Sequence, residues 1–95
     1  MSNFRIFTHR NEDVLHFKLM GDFDGSSACQ LINALKNVCA GIRRVMIHTD
    51  CLKNISSFGL CVFKRHFFQL NALAFRISFT GKNSNQIMPL SALSA

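Results

Sequence analysis

Tryptophan and tyrosine are absent from these 95 residues, proline occurs once, and only five side chains are acidic. No acid follows Asp50, whereas Lys53, Lys64, Arg65, Arg76 and Lys82 do, so the net charge of +6 falls almost entirely on the second half. Such a balance suits an acidic protein, a nucleic acid or an anionic membrane surface as partner, with a plain solvated basic exterior as the alternative. No apolar run approaches the roughly 20 residues that span a bilayer. The chain begins MSNFRIF, without a charged segment leading into an apolar stretch, and its cysteines, Cys29, Cys39, Cys51 and Cys61, stand ten to twelve residues apart with no C-x-x-C. The expectation is a cytoplasmic, reduced protein whose cysteines serve as small hydrophobes and not as disulfides. Repeats, low-complexity tracts and linkers are also missing, and 48% hydrophobic residues suffice for one compact domain over residues 1–95.

What is present reads as an alternation of strands and helices. Phe4 to His9 alternates in character, Arg10 to Asp13 interrupts it, and Val14 to Met20 resumes, which predicts a hairpin whose second strand buries Leu15, Phe17 and Leu19 and ends at Gly21. Gly21 to Gly25 is a turn by composition, and Ser27-x-x-Gln30 has the form of a capping box opening a helix. Ala28, Leu31, Ile32, Leu35, Val38 and Cys39 fall on one stripe of that helix, with Gly41 as its stop.

Val45 to Thr49 fits an interior strand covered on both faces, followed by a loop from Cys51 to Ser56. The second helix carries Leu60, Phe63, Phe67 and Leu70 on its apolar face, widened by Cys61, Val62 and Phe68. Lys64, Arg65 and Gln69 lie opposite, and Asn71 ends it. Ala74 to Thr80 is a further strand with Phe75, Ile77 and Phe79 on one face. Beyond it, Asn83 or Ser84 caps a short third helix through Ile87, Met88, Leu90 and Leu93, Pro89 being allowed only in its first turn, so residues 83–95 form a short, poorly anchored segment. The order β-β-α-β-α-β, with crossovers of helix length, gives an α/β fold: a mostly parallel sheet of about four or five strands, the first antiparallel, with helices packed on it.

Several chemistries find little support. His48-x-x-Cys51 with Cys61 and His66 lacks a second ligand pair at zinc-like spacing, and core cysteine with partly exposed histidine is the preferred reading. There is no G-x-S-x-G, no P-loop and no G-x-G-x-x-G, so an enzyme is not indicated and no cofactor is implied. Asp22 and Asp24 are read as turn residues before acid and base. Nucleic acid ranks below protein as a partner, because all ten aromatics are Phe and most fall at core periodicity; only Phe7 offers itself on a sheet surface beside basic residues.

The stretch Ile55 to Leu70, ISSFGLCVFKRHFFQL, stands apart, since hydroxyls and a glycine open directly into a strongly apolar helix. Ser57 is the expected N-cap, accepting from a backbone N–H of the first turn, and Gly59 removes side-chain bulk beside it. A hydroxyl there is accessible to another macromolecule, at a helix end that tolerates negative charge.

Taken together, VLHFKLMGDFDGSSACQLINAL (Val14 to Leu35) and VMIHTDCLKNISSFGLCVF (Val45 to Phe63) resemble the STAS domain of the anti-sigma factor antagonists over about residues 4 to 82. The resemblance implies a non-enzymatic domain that binds an ATP-dependent anti-sigma kinase, with Ser57 as the phosphoacceptor and Ser56 as second choice. It also matches Gly59 and Leu60 to the family's Gly-Leu, and Gly21, Asp22 and Asp24 to the turn after the second strand. Asp24, Lys53, Ser56, Phe58, Gly59, Lys64 and Arg65 are the partner-binding residues this implies. Three positions depart from the family pattern: Ser56 replaces an Asp before the acceptor, Phe58 fills a small-residue position, and His48 replaces a frequent Asp. A second role compatible with the resemblance is an auxiliary subunit of a lipid-trafficking ABC transporter that binds its ATPase without being phosphorylated. A basic RNA-binding module is the third reading, and a homodimer is left open in all three.

Overall fold

In a computed structural model, which describes residues 3–83 and Ile87, four strands form one sheet in the order β1-β2-β3-β4. The chain runs β1 (Arg5–Asn11), β2 (Val14–Phe23), α1 (Gly25–Lys36), β3 (Arg44–Ile55), α2 (Ser57–Phe67), a 3-10 helix (Phe68–Arg76) and β4 (Ile77–Thr80). β1 pairs antiparallel with β2 across a tight turn at Glu12 and Asp13, while β2–β3 and β3–β4 are parallel. Glu12 takes a positive φ of 58° in that turn, and its carbonyl accepts from Arg10 Nε at 2.8 Å.

Both parallel connections step across the sheet in the same direction, so right-handed crossovers place α1 and α2 side by side on one face. Strand alternation then decides the core. Phe17, Leu19 and Phe23 of β2 and Val45, Ile47 and Leu52 of β3 point at the helices and are buried; Leu31 and Leu35 of α1 and Phe63 and Phe67 of α2 meet them. Phe63 is the centre of this packing, its ring meeting Phe23 edge-on at 6.0 Å and Phe79 edge-on at 5.8 Å, with Phe67 tilted beside it at 5.5 Å. Burying an aromatic side chain among others stabilises through area and through such offset and edge geometry. The buried Thr49 hydroxyl is satisfied by donating to the Thr80 carbonyl at 2.7 Å.

Several expected boundaries move. β2 continues past Gly21 to Phe23, and β3 continues through Cys51 to Ile55 where a loop was expected, because two register shifts let β3 keep pace with β2. Lys18 pairs with His48 but Met20 with Cys51, and Gly21 pairs with Leu52 but Asp22 with Asn54, so each shift gives β3 one extra residue. β3 is covered on its helix face only: Met46 and His48, on the opposite face, stay half-buried.

The first helix starts before Ser27. Asp24 is its N-cap and Ser27 lies buried in the first turn, so the Ser27–Gln30 capping box does not form, and Gln30 is exposed. α2 ends at Phe67 and passes into a 3-10 helix, so Asn71 does not end it and the next strand begins at Ile77, not Ala74. Leu70 and Ala74, buried along this 3-10 segment, explain why its apolar spacing imitates the end of a helix and the start of a strand. The cysteines are free, with Cys29, Cys39 and Cys61 exposed and Cys51 half-buried, so they are not core residues, and Phe68 is also turned outward. Ile87 is buried, its N–H donating to the Asn83 carbonyl at 3.3 Å. The rest of the expected third helix, with Ser84, Met88, Pro89, Leu90 and Leu93, lies outside the described residues.

Candidate functional site

The β2–α1 turn and the start of α2 form one structure, and the extra residues of β3 bring them level. Once the two register shifts have advanced β3, Ile55 pairs with Phe23 and the Ser56 N–H donates to the Phe23 carbonyl at 3.0 Å. Asn54 Nδ2 donates to Asp22 Oδ1 at 2.9 Å, tying the same two segments through side chains. Asn54 plays no part in the sequence reading, because only the register reveals that it faces Asp22.

Ser56, not Ser57, caps α2. Its backbone is extended (φ −84°, ψ 147°) and its Oγ accepts from the Gly59 N–H at 2.9 Å. Ser57 is the first helical residue and is exposed. In the turn before α1, Asp24 Oδ1 accepts from the Ser27 N–H at 2.9 Å, while Ser27 Oγ donates to the Asp22 carbonyl at 2.6 Å and lies 3.0 Å from Asp24 Oδ1. The Ser27 backbone N–H and then its hydroxyl hold the Asp24 carboxyl below its ordinary value of 3.8, so it stays ionised as a cap. Asp22 and Asp24 are thus both engaged in holding the turn.

Two glycines permit this junction. A Cβ on Gly59 would stand 2.7 Å from the Phe23 carbonyl oxygen and 2.8 Å from the Asp24 carbonyl carbon, so the α2 backbone touches the β2–α1 turn directly. A Cβ on Gly25 would stand 2.6 Å from Phe58 Cε2, which means that the Phe58 ring rests over the first residue of α1. Phe58 is nonetheless 71% exposed. It leads a solvent-facing stripe of α2 formed by Ser57, Cys61, Lys64 and Arg65, and Phe68, 55% exposed, closes the stripe one helix length away. Eleven residues at about 1.5 Å each make the stripe about 16 Å long. Neither helix has an acid in its first turn, and Lys64, Arg65 and His66 stand in the last turn of α2.

Of the residues named from sequence, the structure brings Asp24, Ser56, Ser57, Phe58 and Gly59 together and sets Lys64 and Arg65 on the same helix surface. It does not bring Lys53 to them. Lys53 follows the buried Leu52 on β3, so it points away from the helices and lines a hollow with Arg5 and Met20. His48 likewise faces away from Cys61 and His66: its Nε2 lies 2.9 Å from His16 Nδ1 and its Nδ1 lies 2.7 Å from the Thr80 hydroxyl. Among the described residues no three His, Cys, Asp or Glu side chains form a group able to hold a metal ion. No helix there is long and apolar enough to cross a membrane.

No protein-family model and no curated protein matches the sequence. Solved structures do resemble the fold. An anti-sigma factor antagonist from Mycobacterium paratuberculosis superposes with a TM-score of 0.65 at 17% identity, over 97% of this chain and 80% of that one. A DUF3478-family protein with a SpoIIAA-like fold from Shewanella loihica PV-4 gives 0.61 at 18% identity, over 100% of this chain and 81% of that one. A structure of Mglu gives 0.67 at 23% identity over 79% of this chain, which spans only 19% of that protein. The chain therefore has the STAS-like, SpoIIAA-like fold, with a mixed four-stranded sheet, its first strand antiparallel, and two α-helices among the described residues.

Proposed function

We propose that this chain is a single, non-enzymatic protein-binding regulatory domain of the anti-sigma factor antagonist type, acting in the bacterial cytoplasm to control transcription by partner switching. Its partner would be an ATP-dependent regulator of kinase or ATPase fold, docked on the α2 stripe. The observation that carries the reading is Ser57, exposed on the first turn of α2 beside a phenylalanine that is 71% exposed. A phenylalanine held outward over Gly25 is suited to anchor a partner, and Lys64 and Arg65 on the same stripe favour one with an acidic surface.

Phosphorylation of Ser57 switches that contact. A phosphate adds about −1.5 to −2 charges and three acceptor oxygens, which the N-terminus of α2 accommodates without refolding. The partner pocket fitted to a hydroxyl and a phenyl ring then faces a dianion, and binding weakens through repulsion and desolvation. Ser56 is a poorer acceptor, since its oxygen is committed to Gly59. The test uses a purified kinase- or ATPase-fold regulator that this chain captures. Incubation with ATP should place phosphate on Ser57, by mass spectrometry; Ser57→Asp and Phe58→Ala should weaken capture of the partner about tenfold, and Ser57→Ala should bind without being phosphorylated. If neither substitution at Ser57 alters binding, the switch reading fails.

A further inference from the structure

The sheet face turned away from α1 and α2 is not covered by a helix among the described residues, and it has its own chemistry. Cross-strand register places Phe7 beside Lys18 and Lys18 beside His48 in one row, and His9 beside His16 in the next. Phe7 is 49% exposed, whereas Phe4, Phe17, Phe23, Phe63 and Phe67 are buried. Phe7, His9, His16, Lys18 and His48 line a shallow hollow of about 310 Å³ that contains no carboxylate. The His16 and His48 rings are nearly parallel, 10° apart, with centroids 5.2 Å from each other, and His9 lies tilted 6.2 Å from His16. A second hollow of about 370 Å³, with Arg5, Met20 and Lys53, adjoins it because Arg5 and Met20 pair two residues further along the same strands. Arg44, paired with Val14, marks the opposite end, about 20 Å away at roughly 3.3 Å per residue. Of the acids at the margin, Asp50 accepts from the Lys82 N–H at 2.8 Å, Asp22 accepts from Asn54 and Asp13 pairs with Arg43 at 3.4 Å, while Glu12 stands in the hairpin turn at the Arg44 end.

We propose that this face binds single-stranded nucleic acid, with bases stacked on Phe7 and the imidazole rings and phosphates held by Arg5, Lys18, Lys53 and Arg44. Flat rings between cations match a strand that offers a planar face and a negative charge at every step. An acidic protein segment would satisfy the cations but leave the rings without planar partners. A duplex would present its phosphates while keeping its base faces stacked inside. The surface is separate from the Ser57–Phe58 stripe, on the opposite side of the sheet, so it is independent of the partner-switching reading.

The test is fluorescence anisotropy of the full chain with a labelled 12-nucleotide RNA of mixed sequence, alone and annealed to its complement, at 50 and 200 mM salt. The single strand should bind at least about tenfold more tightly than the duplex, with an affinity falling by about 0.7 log unit per log unit of salt for each phosphate neutralised. Phe7→Ala should cost about tenfold in affinity and leave the salt slope unchanged. Lys18→Ala should reduce the slope by about 0.7. Phe58→Ala should bind RNA like the parent. Circular dichroism confirms that each variant folds, and Phe7→Leu, which keeps the apolar bulk without the ring, reads the same loss if Phe7→Ala does not fold. No binding at 50 mM salt, equal affinity for the duplex, parental affinity in both Phe7 variants, or binding to phosphatidylglycerol vesicles without binding to RNA would each overturn the proposal.

Discussion

Ser56 and Ser57 are adjacent hydroxyls with different work, and replacing each by alanine separates them. The Ser56 side chain satisfies the Gly59 N–H at 2.9 Å, one of the donors that the first turn of a helix leaves open. Removing an N-cap costs about 1 kcal/mol, within a range of about 0.5–2. For a domain of this size each kcal/mol corresponds to about 4–8 °C in Tm, so Ser56→Ala should lower Tm by about that much. Ser57 is exposed and already helical, and Ser57→Ala should stay within about 0.5 kcal/mol of the parent. Ser57→Asp should stabilise by about 0.3–1 kcal/mol, because α2 has no acid in its first turn to complement the helix dipole. Thermal unfolding followed by circular dichroism at low salt should therefore rank Ser57→Asp at the top and Ser56→Ala at the bottom, and the gain of the aspartate should shrink at 0.5 M salt. A loss in Ser57→Ala equal to that in Ser56→Ala would show that the cap has been assigned to the wrong serine.

Gly59→Ala should cost about 1–3 kcal/mol, read as a lower urea midpoint, because its Cβ meets the Phe23 carbonyl oxygen at 2.7 Å and backbone cannot step aside as a side chain can. Thr49→Val keeps the shape of a buried side chain but leaves the Thr80 carbonyl without its donor, and should cost about 1 kcal/mol in the same assay. Burial, then the neighbouring His16 charge, hold the His48 imidazole below its ordinary 6.5, with Lys18 adding to the effect and Asp50 opposing it. The unfolded chain therefore binds more protons below about pH 6.5. The stability this supplies is present above that pH and lost as pH falls through the folded value, so urea midpoints should decline between pH 7.5 and 5, and less so in His48→Gln. An unchanged decline in that variant would locate the effect elsewhere.

The elements themselves were readable because periodicity reports which face is buried, and β2, α1 and α2 each bury one. Phe17 and Leu19, or Leu31 and Leu35, announce a face by spacing alone. What stayed hidden depends on partners distant in sequence. Nothing in Cys51 to Ile55 says strand until β2 lies beside it, with the register shifted twice. Ser27 imitates a cap because a serine three residues before a glutamine does so in general, whereas here the Asp24 carboxylate takes the Ser27 N–H and makes Ser27 the third helical residue. Cys61 and Phe68 look apolar by type but face outward, Cys61 on α2 and Phe68 at the start of the 3-10 helix. At the site, the Ser-Ser-Phe-Gly stretch was conspicuous from its hydroxyls and glycine, yet which serine caps is a matter of one residue of phase. The His16–His48 pair lay in plain view at two strand positions and became a pair only through the pairing of β2 with β3.

The two register shifts of β3 also make chain length at this point a measured quantity. Between His48 and Ser56 a residue either pairs with β2, as Cys51, Leu52, Asn54 and Ile55 do, or lies at one of the two shifts, as Thr49, Asp50 and Lys53 do, so a deletion there would pull the helix start back by about 3.3 Å and turn the following side chains to the wrong face. The connection from Asn37 to Arg43 carries no such count. The serine that begins α2 is therefore placed less by its neighbours in sequence than by how many residues precede it.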